Sequence, residues 1–250
     1  MVRRYTKLII LIIVLCLLLK MTFNYHGRLS SDFNPKKIVY INLDERKDRK
    51  ENIKRQIKDT GLPKPTRVSA FNGKELVPDD YYPDTLNQDG LKDLLSEDKK
   101  AGLTLTKGGL GCMLSHQKIW KEIAELNNGE YYLILEDDAK IDINLKSHMN
   151  KAMKEAPADW DIIYLGTNQQ HDPVKVNEYF SKVKRIYCLH GYLINKKGAQ
   201  KALDYCFPAR YQIDTELWLN YESNKMNAYV LNTLLIRQID ELGSNIQINK

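Results

Sequence analysis

The chain has 250 residues, of which 43% are hydrophobic and 28% charged, so it is long enough to bury a core and too apolar for a disordered protein. Its formal net charge is +6, but four of the basic residues lie within the first 20 positions, which contain no acid. The remainder carries little net charge. Because nucleic-acid-binding proteins present a basic face, no nucleic-acid partner is expected.

The first predicted element is a membrane-targeting segment. Residues 8–19 form an unbroken apolar run with a lysine on each side, which is typical of a secretory signal whose basic end stays in the cytosol. A cleaved signal peptide and an uncleaved signal anchor both stay open, although the following residues offer no pair of small side chains for cleavage. We predict a type II membrane protein with a cytosolic tail and signal anchor over 1–23, a polar stem over 24–36 and a lumenal catalytic domain over 37–250. The predicted compartment is the endoplasmic reticulum or Golgi. For a viral protein, it is the endoplasmic reticulum or Golgi of the host cell.

Within that domain, short runs of β-branched and aromatic residues predict strands, and apolar residues at helical spacing predict helices. The predicted strands are residues 37–43, 66–71, 131–135, 160–165, 185–189, 191–194, 228–231 and 234–237. The predicted helices are residues 45–60, 108–126, 144–155, 196–206 and 214–221. Residues 74–106 are predicted to be a long irregular loop, a kind of segment that is often functional. The alternation predicts an α/β fold in which a mostly parallel sheet is flanked by helices.

Three consecutive carboxylates, Glu136, Asp137 and Asp138, follow the buried strand at 131–135. Side chains this close repel one another unless a cation neutralises them. Oxygen ligands suit Mg²⁺ or Mn²⁺, and such an ion can neutralise a departing diphosphate. The alternative is a solvated acidic turn. Because the ligands of parallel sheets bind at the carboxyl ends of the strands, we predict a metal site here.

A charged segment, Asn42–Arg49, follows the first predicted strand. Its acids can accept a hydrogen bond from a ribose or base, and Arg46 and Arg49 can reach phosphates. From the residues alone, a capped and salt-bridged surface helix is the better description of this segment.

Two further segments contain candidate site residues. Glycines at 108, 109 and 111 open a helix that carries Ser115 and His116, and glycines there permit close approach of a ligand, although His116 is equally compatible with a core position. Asp214 and Glu216 lie at the start of a short helix, where an acid is either a general base or an N-cap. The cysteines have no CxxC spacing, which argues against a structural zinc site, and the sequence does not determine whether any of them are paired.

Six segments in this order resemble glycosyltransferase family 25, which includes lipooligosaccharide galactosyltransferases and collagen galactosyltransferases. They are residues 38–53, 105–123, 132–139, 160–166, 191–203 and 213–218. A weaker match at 244–247 has Asn245 where the family has an acid. The resemblance implies a GT-A-like (Rossmann-like) fold and an inverting, metal-dependent transfer of a hexose, usually galactose from UDP-galactose.

Carried over residue by residue, the resemblance implies three groups of site residues. The nucleotide and donor sugar would be held by Asn42, Asp44, Arg46, Ser115 and His116. Glu136, Asp137 and Asp138 would bind the metal, which is expected to be Mn²⁺, with Asp138 as the best ligand. Asp214 would be the catalytic base, with Glu216 as the second candidate.

The expected partners are a UDP-sugar, a glycan or glycoprotein acceptor such as a collagen-like protein, and the membrane. Two alternatives belong to other classes. One is a catalytically silent relative that binds a glycan or a protein, and the other is a metal-dependent phosphohydrolase that uses the same acids.

Overall fold

An eight-stranded sheet lies at the centre of the computed structural model, which describes residues 33–96, 105–239 and 243. Its strand order is β2-β1-β3-β10-β5-β11-β8-β7, and two smaller sheets pair β4 with β12 and β6 with β9. The strands are β1 (Lys37–Asn42), β2 (Thr66–Ser69), β3 (Tyr131–Glu136), β4 (Ala139–Ile141), β5 (Ile162–Tyr164), β6 (Gln169–His171), β7 (Val174–Lys175), β8 (Phe180–Val183), β9 (Arg185–Tyr187), β10 (Gly191–Asn195), β11 (Ala228–Leu231) and β12 (Ile236–Gln238).

Helices cover both faces of the large sheet. The α-helices are α1 (Lys47–Asp59), α2 (Gln88–Leu95), α3 (Lys107–Ala124), α4 (Leu145–Ala152), α5 (Lys196–Tyr205) and α6 (Ile213–Glu222). Short 3-10 helices occupy Gly73–Glu75, Pro78–Tyr81 and Met153–Glu155. The predicted α/β class is confirmed, and the predicted helices correspond to α1, α3, α4, α5 and α6.

Side-chain alternation along the central strands divides the interior into two cores. On β3, Tyr132 and Ile134 point towards the core that includes buried residues of α3, α5 and α6. Leu133 and Leu135 point to the opposite core, which includes Ile53 of α1 and residues of α4. Both faces of the sheet are therefore buried, as in other helix-covered sheets.

The strand directions are more mixed than predicted. β1 is parallel to β2 and β3, and β5 is parallel to β11, but β10 is antiparallel to both of its neighbours and β8 is antiparallel to β11 and β7. A mostly parallel sheet is therefore only partly correct. A fully buried strand has the same apolar pattern in either direction, so the sequence does not reveal the inversion of β10.

Two other expectations differ from the structure. The segment 74–106 was predicted to be irregular, yet it contains α2, which begins where the side chain of Asn87 accepts the N–H of Gly90 at 2.8 Å. The strands β4, β6, β7 and β8 were not predicted, because each has only two to four residues and little alternation. Cys112, Cys188 and Cys206 are all free thiols.

The segment just before the predicted boundary at Lys37 contacts the domain. Phe33 is buried in the core on the α1 side, and its N–H donates to Asn150 Oδ1 at 2.9 Å. The predicted signal anchor lies outside the described residues. Within the described part of the chain, no helix is both long and apolar enough to cross a bilayer.

Candidate active site

A cleft that is partly open to solvent lies where the carboxyl ends of the parallel strands β1 and β3 meet. Six residues that the sequence indicated line it: Asn42, Ser115, His116, Glu136, Asp137 and Asp138. Further lining residues include Arg49, Lys74, Lys107, Cys112 and Gln238. Asp44, Arg46, Asp214 and Glu216 are not among the residues that line the cleft.

Asp137 is buried and already paired with protein groups. It accepts a hydrogen bond from Asn42 Nδ2 at 2.7 Å and from Arg49 at 2.8 Å. Burial nevertheless outweighs these two partners and raises the pKa of Asp137. The carboxylate therefore joins the end of β1, helix α1 and the end of β3, and its oxygens are less available to a ligand than those of its neighbours.

Asp138 is the carboxylate with unused acceptor capacity. Its Oδ2 accepts a hydrogen bond from Gln238 at 3.1 Å and lies 3.5 Å from Arg49, while its Oδ1 is buried without a hydrogen-bond partner among the described residues. Burial, together with the charge of Glu136, raises the pKa of Asp138 to about 7. A buried acceptor without a partner is costly, so this oxygen is suited to a ligand from outside the chain.

Glu136 ends a chain of buried hydrogen bonds. Trp120 Nε1 donates to the Tyr192 hydroxyl at 2.9 Å, that hydroxyl lies 2.8 Å from His116 Nδ1, and His116 Nε2 lies 3.3 Å from Glu136 Oε1. The indole N–H can only donate, so the Tyr192 hydroxyl accepts from Trp120 and keeps its own hydrogen free to donate to His116 Nδ1. Since Nδ1 then accepts, the proton of the neutral His116 ring lies on Nε2, which faces Glu136. Burial favours a neutral Glu136, but the hydrogen bond from His116 prevails and lowers the pKa of Glu136. Glu136 is therefore held as a carboxylate.

Ser115 lines the cleft and connects α3 to the loop after β2. Its hydroxyl donates to the Gly111 carbonyl at 2.6 Å and accepts the N–H of Phe71 at 3.0 Å. A Cβ on Gly111 would lie 2.5 Å from the Phe71 carbonyl oxygen, so the loop after β2 can approach α3 only because residue 111 is a glycine. Ser115 lines the cleft, but its hydroxyl is occupied by backbone contacts.

The charged segment after β1 lies beside the cleft. Asp44 is exposed, accepts a hydrogen bond from Ser69 at 2.9 Å and is paired with Arg67, and the hydrogen bond from Arg67 lowers its pKa. Arg46 pairs with Asp48 through two contacts, at 3.0 and 2.9 Å. These surface ion pairs are typical of a salt-bridged surface helix, which is the alternative interpretation of this segment. The assignment of Asp44 and Arg46 as nucleotide-binding residues stays a prediction.

Asp214 lies at the start of α6. It accepts the N–H of Cys188 at 3.4 Å and that of Thr215 at 2.8 Å, and Cys188 has a φ of 71°, which is unusual for a residue other than glycine. Burial raises the pKa of Asp214, and the charge of Glu136 adds to the effect. A carboxylate with a raised pKa, within electrostatic reach of the cleft, is a suitable proton acceptor.

Glu216, in the first turn of α6, is held by backbone amides of the loop that precedes this helix. Its Oε1 accepts the N–H groups of Arg210 and Tyr211 at 2.7 and 2.8 Å. The same oxygen therefore satisfies two amides, which favours a structural function for Glu216 over proton transfer.

Sequence reasoning missed three contributors to the cleft. Arg49 was interpreted as a phosphate ligand or as part of a surface helix, but it is buried against Asp137 and Asp138. Cys112 lies one helical turn before His116 and within 3.8 Å of Glu136, a relation that the helical spacing permits but does not single out. Gln238 reaches Asp138 from β12, a hundred residues further along the chain, and no local pattern indicates that contact.

The oxygens at this edge of the sheet fit a divalent cation. Asp138 offers a buried oxygen without a partner, and Glu136 is held ionised in the same cleft. Lys74 and Lys107 are exposed at the lining of the cleft, where their ammonium groups suit phosphates. The cleft therefore combines a hard-cation site with basic groups for a phosphorylated ligand.

The chain is similar to known proteins of one family. The family model for Glycosyltransferase family 25 (LPS biosynthesis protein) matches residues 35–217. Procollagen galactosyltransferase 1-B of Xenopus laevis is 34% identical over 176 residues, which cover 67% of this chain and 28% of that protein. Procollagen galactosyltransferase 2 of Homo sapiens is 30% identical over 226 residues, covering 80% of this chain and 34% of that protein.

A third relative has a different description. Inactive glycosyltransferase 25 family member 3 of Homo sapiens is 38% identical over 76 residues, which cover 29% of this chain and 13% of that protein. The chain thus spans about a third or less of each of these three relatives. Since the family model extends over most of the chain, including β1, α3, β3 and the start of α6, the chain belongs to glycosyltransferase family 25.

Proposed function

We propose that the chain is an inverting, metal-dependent hexosyltransferase with a GT-A-like fold, which moves galactose from UDP-galactose to a hydroxyl group of a glycan or glycoprotein. The observation that carries this proposal is the buried Oδ1 of Asp138, which has no partner among the described residues and lies in the cleft beside Glu136. A divalent cation that also binds a diphosphate would satisfy that oxygen and reduce the repulsion between the two carboxylates.

Asp138 and Glu136 would hold the cation, with Mn²⁺ as the expected ion. When bound, the cation neutralises negative charge on the departing nucleoside diphosphate. Asp137 instead positions the site, since Arg49 and Asn42 occupy its oxygens. Lys74 and Lys107 would contact the phosphates from the mouth of the cleft.

Asp214 would take the proton of the acceptor hydroxyl. The acceptor oxygen then bonds to the anomeric carbon as the bond from that carbon to the diphosphate breaks, and the nucleoside diphosphate leaves. The N–H groups of Cys188 and Thr215 fix the carboxylate of Asp214, and its burial favours proton uptake.

The choice of donor and acceptor follows the names of the relatives. Two of them are called procollagen galactosyltransferases, which supports UDP-galactose as donor and a collagen-like acceptor. For the location we propose a type II membrane protein with its domain in the lumen, on the evidence of the basic and apolar residues at positions 1–20.

A UDP-release assay tests the proposal. The purified chain is incubated with UDP-galactose and Mn²⁺, with and without a hydroxylysine-containing collagen peptide. Acceptor-dependent UDP release that stops on chelation supports transfer. Release that does not depend on the acceptor indicates a hydrolase, and binding of UDP-galactose without any release indicates a silent relative.

The second candidate function is binding of a glycan or a protein by a catalytically silent member of the family. It is favoured by the resemblance to the inactive human family member and by the backbone contacts that occupy Glu216. Under this proposal the cleft would still bind a glycan or nucleotide, but neither Asp214 nor Glu216 would move a proton.

A further inference from the structure

Three side chains of different chemistry converge inside the cleft. Cys112 and His116 lie one turn apart on the same side of α3, and Glu136 faces them from the end of β3. Their ligand atoms all lie within 4.8 Å of one another, with His116 Nε2 at 3.3 Å and Cys112 Sγ at 3.8 Å from the same oxygen of Glu136. The hard-cation site described above uses neither Cys112 nor His116.

We propose that Cys112, His116 and Glu136 form a second metal site, selective for a thiolate-binding cation such as Zn²⁺, and that zinc bound there inhibits sugar transfer. Zinc bonds of about 2.0–2.3 Å place tetrahedral ligand atoms roughly 3–4 Å apart, so small movements of these side chains close the site. Sulfur and imidazole ligands favour zinc over manganese, whereas the oxygens of Asp138 favour the harder ion.

The site has an entry path and an open coordination position. All three side chains line the cleft, so a cation reaches them from solvent, and water occupies the fourth tetrahedral position. Three protein ligands and one exchangeable ligand make a site that binds zinc reversibly.

The ring of His116 is supported from behind, as the imidazole ligands of metal sites commonly are. On zinc binding the ring proton moves to Nδ1 and is donated to the Tyr192 hydroxyl, which lies 2.8 Å away and also accepts the N–H of Trp120. The imidazole stays neutral, Cys112 loses its thiol proton to solvent, and one proton is released for each zinc ion bound.

Inhibition follows from the sharing of Glu136. A carboxylate drawn towards Cys112 and His116 by zinc is lost to the hard cation beside Asp138. Only this part of the inference rests on the proposed function, because zinc binding itself requires no catalysis.

Cobalt substitution tests the site directly. Co²⁺ added to the full chain should give a thiolate-to-cobalt charge-transfer band, and Zn²⁺ should abolish it at one equivalent. Cys112→Ser should remove the band and weaken zinc binding by more than the roughly 10–100-fold that loss of a supporting group costs. Cys188→Ser is the matched control, since Cys188 is a free thiol outside the cluster, and it should keep both properties.

Two more variants keep the test decisive if Cys112→Ser is poorly folded. Tyr192→Phe should weaken zinc binding by about 10–100-fold while keeping the cobalt band at saturation. Asp138→Asn should keep the cobalt band, because Asp138 supplies no ligand atom to the cluster. A cobalt band that is absent from the wild-type chain, or that survives in well-folded Cys112→Ser, overturns the proposal.

Inhibition is measured separately from binding. In the UDP-release assay with Mn²⁺, zinc should inhibit the wild-type chain at concentrations that fill the cobalt-detected site, and Cys112→Ser should resist it. If the wild-type chain shows no activity, the proposed function fails while the cobalt spectrum still decides whether the site exists. Equal zinc inhibition of both proteins overturns the inhibitory part.

Discussion

Replacing Arg49 with methionine should strongly destabilise the protein, because the arginine is the buried cation between two buried carboxylates. It lies 2.8 Å from Asp137 and 3.5 Å from Asp138, and all three side chains are less than one tenth exposed. Removing one partner of a buried ion pair costs about 3–5 kcal/mol, because it leaves an unpaired buried charge. A domain of this size loses about 2–4 °C of melting temperature for each kcal/mol, so the melting temperature should fall by about 6–20 °C.

The assay is thermal unfolding followed by circular dichroism at pH 7 in the presence of a chelator. Arg55→Met is the matched control, since Arg55 lies exposed on the same helix and a surface change there costs about 0.5 kcal/mol or less. Adding Asp137→Asn to the Arg49→Met variant should cost much less than Asp137→Asn alone, because the buried charge has already lost its partner. A fall in melting temperature no larger than that of the control, or purely additive effects of the two substitutions, would refute this reasoning.

Three further predictions concern the base, the pH dependence and the domain boundary. Asp214→Ser should lower turnover by about 10²–10⁴-fold with little change in donor affinity, whereas Glu216→Gln should change turnover little. Steady-state kinetics with normal turnover in Asp214→Ser would show that Asp214 is not the base. Folding raises the pKa of Asp138 from 3.8 to about 7, so between these pH values the folded protein binds more protons than the unfolded chain. The free energy of unfolding of the metal-free protein should therefore fall as the pH rises through this window. Asp138→Asn should lose that part of the pH dependence in unfolding titrations, and an identical pH profile in both proteins would contradict the assignment. A chain that begins at Asn34 should melt at a lower temperature than one that begins at Asp32, because Phe33 is buried; equal melting temperatures would place the domain boundary after Phe33.

The position of the cleft was predictable because it depends on one topological rule. Parallel strands place their carboxyl ends at the same edge of a sheet, and the sequence indicates Asn42 and the acids at 136–138 for the carboxyl ends of two predicted strands. The structure brings Asn42 and Asp137 within 2.7 Å. The chain order of the helices and the longer strands was also predictable, since their apolar spacing is distinctive.

The contacts that tune the cleft were not predictable in the same way. The arginine at position 49 belongs to a helix rich in charge, and nothing in that pattern separates a buried cation from an exposed one. The direction of β10 and the short strands β4, β6, β7 and β8 depend on tertiary packing, which a local apolar pattern does not encode. The backbone contacts of Glu216 likewise become visible only once the loop at 210–211 is folded.

The central claim is that Asp138 binds a divalent cation together with a nucleotide-sugar in this cleft. Calorimetric titration of UDP-galactose into the full chain, with Mn²⁺ and then with a chelator, tests it most directly. The wild-type chain should bind the donor with Mn²⁺ and lose most of that affinity with the chelator. Asp138→Asn should keep its fold by circular dichroism but bind the donor equally weakly under both conditions. Donor binding in Asp138→Asn that still depends on Mn²⁺ as in the wild type would contradict the account.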